Sequence, residues 1–380
     1  MKHLKSAAAL VLILGLVASV VGCMIYENKQ IAHCQAIATS SADITYREAA
    51  ILAYEGLNSC FSHNPEHAYA KLIPTFLYNT NWTLGGEIQA TVDLLKVSGA
   101  EKKRIESDLH TRVDALRYYW DENASPPGYN STTFGTFETG DIYYDDNAWI
   151  ALALLDAHQL LKDPWYLERA RDIFHLLEDG AQKTKNLPAQ GGVLWTQKRD
   201  NLYTATVSTA SAAQVAVRLF LLTRESHFLE FAKAQFEWVL KTLKAENGLF
   251  ADGVEKHGGV EHTQWTYNQG LLIGDAVFLY SATGDKNYIG VASAIAQASL
   301  VRFNLDALLT QPPTFNAVFF KNLMLLNSVA PDVRYKQSLN QYAHSMLTKI
   351  DLSNGILAYR RWPTSLDQSA AVQIFALNQS

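Results

Sequence analysis

Twelve segments of helical length limit what this chain can fold into more than any other feature. Each carries apolar residues at helical spacing, and no run of alternating apolar and polar residues of the strand type stands out. The pattern therefore predicts an all-α protein. The predicted segments cover residues 43–60, 83–98, 100–122, 145–161, 164–183, 207–222, 226–245, 265–282, 286–302, 315–329, 332–349 and 365–378.

The connections between these segments alternate between short and long. Four short polar turns each lead into an aromatic residue that can pack back as the next helix begins. These aromatics lie 62, 60 and 47 positions apart, which is a weak repeat of a helical hairpin; they are Tyr166, Phe228, Tyr288 and Tyr335.

The long connections are rich in Gly, Asn, Thr and aromatic residues, and long loops in compact domains usually carry function. They cover residues 123–144, 184–206, 246–264 and 350–364. Twelve helices in six hairpins predict an (α/α)6 barrel with its functional site at the long-loop end. An open α-solenoid, which would expose a concave face, is the alternative. No linker marks a second domain, so residues 43–380 are predicted to form one catalytic domain.

The first 22 residues have the pattern of a bacterial lipoprotein signal. Two lysines precede an apolar stretch that is short for a spanning helix, and Gly22 then precedes Cys23. We therefore expect lipidation of Cys23, with residues 23–42 as a tether and an extracytoplasmic location on a bacterial membrane or cell surface. An uncleaved anchor or an ordinary signal peptide is the alternative. The remaining chain would hold 30 basic and 37 acidic residues.

Charge and cysteine usage narrow the class of protein further. The net charge of −5 and the absence of a basic block argue against a nucleic-acid partner. Eight tryptophans and 18 tyrosines fit a secreted sugar-handling protein better. If Cys23 carries the lipid, Cys34 and Cys60 can form a disulfide in an oxidising compartment, or remain buried thiols.

Two adjacent carboxylates, Asp145 and Asp146, stand directly before an apolar helix. Tyr143, Tyr144 and Trp149 flank them. Burial and mutual repulsion would drive the two pKa values apart, as acid/base catalysis requires. A pair that only caps the helix is the alternative. Adjacent carboxylates fit the roughly 5 Å separation of a retaining glycosidase better than the wider gap of an inverting enzyme.

Sugar sites also need flat apolar faces, together with amides and carboxylates that bind hydroxyl groups. The long loops and helix starts supply both, although core packing is the alternative for each aromatic residue. The candidates are Trp82, Tyr143, Tyr144, Trp149, Trp195, Trp265, Tyr267, Trp362, Asp252, Asn268 and Gln269. The spacing in the loop that holds Glu255, His257, Glu261 and His262 matches no zinc motif, so neither a metal nor another cofactor is predicted.

Several of these motifs resemble glycoside hydrolase family 76, which contains endo-α-1,6-mannanases and fungal mannan transglycosylases. The acid pair lies in the sequence YDDNAW at residues 144–149, which resembles the family's hallmark. Residues 266–270, 191–195 and 248–253 are similar to three further family motifs. Leu194 and the stretch 207–209 depart from the family pattern, and these departures concern the sugar subsites.

The resemblance implies an (α/α)6 fold and a retaining mechanism, with Asp145 as the nucleophile and Asp146 as the acid/base. The expected partner is an α-mannan-like polysaccharide, bound by a monomer through seven side chains. Transglycosylation at the same site is one alternative, and an inactive surface glycan-binding protein is another. The seven expected sugar-binding residues are Tyr144, Trp149, Trp195, Asp252, Tyr267, Asn268 and Gln269.

Overall fold

The computed structural model describes residues 44–61, 80–133, 140–198, 200–359 and 364–379. Thirteen α-helices lie in these ranges. They are α1 (Tyr46–Phe61), α2 (Asn81–Val97), α3 (Lys102–Ala115), α4 (Tyr144–Leu161), α5 (Pro164–Gln182), α6 (Thr206–Thr223), α7 (Ser226–Thr242), α8 (Thr266–Thr283), α9 (Asn287–Arg302), α10 (Leu305–Thr310), α11 (Pro313–Val329), α12 (Val333–Leu347) and α13 (Ser365–Leu377).

Six of the helices form a closed inner ring. In ring order these helices are α2, α4, α6, α8, α11 and α13. Each packs against the next, and α13 packs against α2 to close the ring. Apolar residues cover nearly every side of these inner helices, because each one faces both the barrel interior and an outer layer. The closed ring confirms the predicted (α/α)6 barrel and excludes the open solenoid.

The outer layer completes six helical pairs. Helices α3, α5, α7, α9 and α12 follow their inner partners, and α1 packs on α13. Three of the short turns share a left-handed residue just after the inner helix, at Lys162, Arg224 and Gly284. That residue's N–H bonds to the carbonyl four positions earlier, so the chain reverses at once. This left-handed turn is the feature that the repeated hairpins share.

The aromatics that follow the short turns behave largely as predicted. Tyr166, Phe228 and Tyr335 are buried, and Tyr288 is partly buried. In the first hairpin, Asp163 caps the outer helix by accepting a bond from the Trp165 N–H at 2.9 Å. The short-turn end of the barrel is therefore closed by packing, and the long loops are left to build the opposite end.

The structure corrects three features of the predicted element map. The segment predicted at 100–122 ends as an α-helix at Ala115, and helix α10 was not predicted. Very short strands also occur, where none was expected: β1 (Trp120–Asp121) pairs with β2 (Gly128–Tyr129), and β3 (Thr204–Ala205), β4 (Gly253–Val254) and β5 (Val260–Glu261) form an antiparallel sheet. Two residues are too few to show an alternating pattern in the sequence.

Two predictions concern the chain before the barrel. Residues 1–42, with Cys23 and Cys34, lie outside the described residues. Cys60, near the end of α1, is disulfide-bonded, with its partner also outside the described residues. Among the described helices, only Thr206–Thr223 is long and apolar enough to pass a test for a membrane span, and it is a buried member of the inner ring.

Candidate active site

The acid pair lies in the first turn of α4, at the long-loop end of the barrel. Tyr143 is the N-cap residue, and its side chain makes no capping bond. The Asn147 amide fixes this helix start, because it accepts from the Tyr129 N–H at 2.8 Å and donates to the Tyr129 carbonyl at 2.9 Å. Asp145 and Asp146 are therefore held at a fixed helix start without serving as the cap.

Trp195 ties the glycine-rich loop to the first acid. Its indole Nε1 donates to Asp145 Oδ2 at 3.2 Å, and its ring lies 5.0 Å from that of Tyr143. The Trp195 carbonyl accepts from the Tyr144 N–H at 3.0 Å, so the loop is also bound to the helix backbone. The other oxygen of the first acid, Asp145 Oδ1, is buried and has no hydrogen-bond partner within the described chain. Trp195 thus positions one oxygen of this carboxyl, whereas the other is buried without a partner among the described residues.

The surroundings raise the pKa values of both acids, for partly different reasons. Burial raises the pKa of Asp145 to about 7, against the hydrogen bond from Trp195 and nearby backbone N–H groups, which lower it. Burial raises the pKa of Asp146 well above its usual range, and the negative charge of Asp145 adds to this. An ionised Asp145 therefore disfavours ionisation of Asp146, as a division between nucleophile and acid requires.

A third acid lies on the neighbouring loop wall. Asp252 accepts from the Tyr203 hydroxyl at 2.9 Å and from Asn268 Nδ2 at 3.0 Å. It is close enough to Asp145 for its charge to raise the pKa of that residue. The Asn268 Oδ1 atom is buried and has no partner among the described residues. The sequence analysis did not include Tyr203 among the candidates, because nothing in the sequence distinguishes it from the other tyrosines of the loops. Only the fold brings it next to Asp252.

Aromatic rings line the mouth of the barrel beside the acids. Tyr267 stacks on Phe315 with ring centroids 3.9 Å apart, and Trp149 lies 6.4 Å from Tyr267. Trp149 is one helical turn beyond Asp145 on α4, so both point to the barrel interior. The mouth therefore combines flat apolar faces with carboxyl and amide groups, as a sugar site requires.

Two of the predicted sugar-binding residues lie behind this surface. Tyr144 has no exposed area and packs against outer helix α5, where its hydroxyl faces Asp179. Gln269 is also fully buried, and its amide bonds to the backbone of Phe250 and Trp265. Both hold the loops in place and have no surface for a sugar, so their predicted direct contact is corrected to a positioning role.

Of the remaining predicted residues, seven lie at the mouth and one lies outside the described chain. Asp145, Asp146, Trp149, Trp195, Asp252, Tyr267 and Asn268 come together at the long-loop end, whereas Trp362 lies outside the described residues. Within the described ranges, no group of three or more His, Cys, Asp or Glu side chains could hold a metal ion.

A cavity of about 680 Å³, which includes its opening to solvent, continues from the mouth into the barrel. Aromatic residues line its upper part and polar side chains line its lower part. Among its walls are Trp82, Trp149, Tyr267, Phe315, Gln214, Arg218, Lys321 and Gln373. The inner helices thus provide more than a rigid frame, because they also enclose space below the acid pair.

A charged cluster lies behind the lower cavity wall and was not predicted. Asp156, on α4, bonds to Arg218 at 2.6 Å and to Lys321 at 2.5 Å. Burial would raise the pKa of Asp156, but Lys321, Arg218 and Lys96 together hold it well below its usual range. This acid is fully compensated, unlike the pair at the mouth.

The class of protein follows from comparison with known families. The model of one protein family, described as "Glycosyl hydrolase family 76", matches residues 45–373, which is most of the chain. The chain therefore belongs to glycosyl hydrolase family 76, as the sequence motifs indicated.

Curated relatives are similar over part of their length. Mannan endo-1,6-alpha-mannosidase DCW1 of Candida glabrata is 25% identical over 242 residues, covering 56% of this chain and 51% of that protein. The enzyme of the same name from Saccharomyces cerevisiae is 26% identical over 243 residues, covering 56% and 51%. The chain thus spans about half the length of the curated relatives it matches.

Solved structures match the fold over nearly its whole extent. A GH76 alpha-mannanase of Bacteroides thetaiotaomicron superposes with a TM-score of 0.77 at 17% identity, covering 89% of this chain and 96% of that one. An inactive variant of an alpha-1,6-mannanase from a Salegentibacter species, in complex with alpha-1,6-mannotriose, gives 0.68 at 18% identity, with 88% and 98% covered. That variant carries two consecutive aspartate-to-asparagine substitutions.

Proposed function

We propose that this protein is a retaining glycoside hydrolase that cleaves α-1,6-mannosidic linkages in an α-mannan-like polysaccharide. The observation that carries the proposal is the acid pair at the barrel mouth. Burial raises the pKa of Asp145 to about 7, and Trp195 orients this residue, whereas both burial and the charge of Asp145 raise the pKa of Asp146. One fold thus supplies a carboxylate and a carboxylic acid side by side.

In the first step, the Asp145 carboxylate attacks the anomeric carbon and forms a covalent ester. The glycosidic C–O bond breaks as Asp146 donates its proton to the departing oxygen. In the second step, the Asp146 carboxylate takes a proton from water, and that water attacks the anomeric carbon. The ester bond to Asp145 breaks, which returns both acids to their starting states.

The substrate class is supported by the surface around the pair. Trp149, Trp195 and Tyr267 offer aromatic faces, and Asp252 and Asn268 offer hydroxyl-binding groups. The names of the fungal relatives specify mannan endo-1,6 cleavage, and a structural neighbour holds alpha-1,6-mannotriose. These features together favour an α-1,6-linked mannan over other glycans.

Reducing-end release from a linear α-1,6-mannan tests this function. Wild type is expected to produce short oligosaccharides, whereas Asp145→Asn and Asp146→Asn produce almost none. Chains longer than the starting material would assign transfer to a sugar hydroxyl instead of water. If wild type binds the mannan but yields neither product, the protein is a glycan-binding protein and the proposal is wrong.

We also propose that the enzyme works outside the cytoplasm as a lipid-anchored monomer. The support is the placement of Cys23 after a short apolar stretch. Mass spectrometry of the mature protein should find Cys23 at the N-terminus carrying acyl chains, and Cys23→Ala should abolish membrane association. An unmodified N-terminus at another residue would contradict the anchor and leave the proposed chemistry untouched.

A further inference from the structure

Tyr203 joins two parts of the proposed active site, although it belongs neither to the acid pair nor to the predicted sugar-binding residues. Its hydroxyl donates to Asp252 Oδ2 at 2.9 Å, and its carbonyl accepts from the Trp195 N–H at 2.9 Å. Its ring also meets the Trp195 ring edge-on, with centroids 6.4 Å apart. One residue thus links the third acid to the tryptophan that donates to Asp145.

The backbone around Tyr203 fixes where its hydroxyl points. Asn201 Oδ1 accepts from the Tyr203 N–H at 3.1 Å, which orders the turn before strand β3. Strand β3 then pairs with β4, whose first residue, Gly253, directly follows Asp252. A Cβ atom at Gly253 would lie 2.6 Å from the Tyr203 hydroxyl oxygen. The hydroxyl therefore reaches Asp252 across a strand position that has no side chain.

Asp252 is an acceptor at both of its oxygens. Tyr203 donates to Oδ2, and Asn268 Nδ2 donates to Oδ1 at 3.0 Å. A carboxylate offers about four lone-pair sites, so these two bonds leave acceptor capacity for sugar hydroxyl groups. A protonated carboxyl would lose one of these sites to its own proton. The ionised form of Asp252 is therefore the form that suits both donors and a sugar hydroxyl.

The electrostatic surroundings of Asp252 oppose that ionised form. Burial raises its pKa, and the Glu261 carboxylate on β5 adds to this effect. Asp145 on α4 and Tyr267 on α8 also interact electrostatically with Asp252, and neither supplies a positive charge. The two donated hydrogen bonds act in the opposite direction and lower the pKa of Asp252. They are therefore the contacts that favour its ionised form.

Tyr203 keeps its own proton while the acids titrate. Burial raises the pKa of its hydroxyl, and the negative charges of Asp252, Glu255 and Glu261 raise it further. The hydroxyl therefore remains a donor over the whole range in which a carboxyl group changes its charge. The bond to Asp252 has one direction, from the phenol to the carboxylate.

We propose that Tyr203 is a positioning residue that holds Asp252 ionised and in place beside the acid pair. This role rests on the proposed function, because it serves a carboxylate that accepts sugar hydroxyl groups at the barrel mouth. Tyr203 itself needs no contact with the substrate. Without its hydroxyl, Asp252 would bind a proton at higher pH, and the form with both Asp145 and Asp252 ionised would become harder to reach.

The dependence of kcat/KM on pH tests this role. Tyr203→Phe keeps the ring and the backbone bond to Trp195, and it removes only the hydroxyl. It should lower kcat/KM on α-1,6-mannan by about tenfold at pH 5, the size of a lost hydrogen bond to a charged group, and by less than about threefold at pH 8. A loss that is equal at both pH values, as a merely structural role would give, would contradict the proposal, and so would no loss.

Tyr166→Phe is the matched control for the loss of a tyrosine hydroxyl. Tyr166 lies at the short-turn end of the barrel, where its hydroxyl is bonded to His110 Nδ1 at 3.2 Å. This variant should leave the pH profile of kcat/KM unchanged. A profile altered in the same way as in Tyr203→Phe would show that the effect does not depend on Asp252.

A double variant tests whether the effect passes through Asp252. In Asp252→Asn no carboxylate remains at this position, so adding Tyr203→Phe should leave the shape of the pH profile unchanged. Residues that act through one contact are non-additive in this way. The same selective loss at pH 5 in the Asp252→Asn background would mean that Tyr203 acts through another group, and would overturn the proposal.

Carbon-13 NMR of the aspartate carboxyl carbons tests the role of Tyr203 without any cleavage. The Asp252 signal is identified by its loss in Asp252→Asn. Its titration midpoint should rise by about one pH unit in Tyr203→Phe, which corresponds to the tenfold effect. An unchanged midpoint would overturn the proposal. If wild type cleaves no mannan, the proposed function fails, and the midpoint still decides whether Tyr203 holds Asp252 ionised.

Discussion

Helix α4 carries an acid near each end of the barrel interior, and the surroundings shift the pKa values of these two acids in opposite directions. Asp145 and Asp156 lie eleven residues apart on one face, a rise of about 16 Å. At the mouth, burial raises the pKa of Asp145 to about 7, and no basic side chain in the described part of the chain forms an ion pair with it. At the other end, three cations hold the pKa of Asp156 well below its usual range. The proposed reactive acids are thus the ones that lack this compensation.

The largest expected effect is a loss of activity when either acid at the mouth end of α4 is replaced. Asp145→Asn and Asp146→Asn should each lower kcat on α-1,6-mannan by about 1,000-fold or more, because each removes a group that acts in the transition state. Circular dichroism should show that both variants remain folded. Near-normal turnover in either variant would remove that residue from the mechanism.

The second effect is on stability and concerns the compensated end. Asp156→Asn removes the common partner of Arg218 and Lys321 and should lower the free energy of unfolding by about 3 kcal/mol, as breaking a buried ion pair does. Urea denaturation measures this, with exposed Asp200→Asn as the control. A loss below about 0.5 kcal/mol would mean that the cluster contributes little to the fold.

Replacing an acid at the mouth should raise the free energy of unfolding, whereas Asp156→Asn should lower it. A carboxyl whose folded pKa is above its unfolded value, near 3.9, binds protons more readily when folded, so stability is lost as pH rises from about 4 through about 7. Asp145→Asn should therefore stabilise the protein at pH 8 by about 2 kcal/mol. Thermal unfolding at pH 8 and pH 4 checks this, since the gain should vanish at pH 4. Destabilisation at pH 8 would contradict the assigned electrostatics.

The smallest effect concerns the hydrogen bond that positions the first acid. Trp195→Phe keeps the ring but removes the N–H that lowers the pKa of Asp145, so the acid limb of kcat/KM against pH should move to higher pH. We expect about a tenfold loss at pH 6, in line with a hydrogen bond to a charged group, and a smaller loss at pH 8. Trp165→Phe, on an outer helix, is the control. An unshifted acid limb would show that the bond does not tune Asp145.

The sequence predicted one end of α4 far better than the other. The acid pair could be found because its members are adjacent and open an apolar helix. The partners of Asp156 lie 62 and 165 positions away along the chain, as isolated charges in apolar helices. Only the closed ring brings them together, and no local pattern encodes that distance.

The same limit explains the site residues that were misassigned. Tyr144 and Gln269 stand in motifs whose neighbours reach the barrel mouth, but successive residues on a helix point about 100° apart. Tyr144 is thereby turned toward outer helix α5, and Gln269 toward the loop backbone that it bonds. Tyr203 shows the converse, because its bond to Asp252 depends on the short sheet β3–β5.

The stereochemistry of the first product tests the central claim most directly. Adjacent carboxyls at one helix start leave little room for a water between acid and sugar on the far face, which an inverting enzyme needs. Proton NMR during cleavage of an α-1,6-mannan should therefore show the α-anomer of the new reducing end before mutarotation, consistent with a glycosyl ester on Asp145. Initial release of the β-anomer would contradict the nucleophile assignment and require one acid to activate water instead.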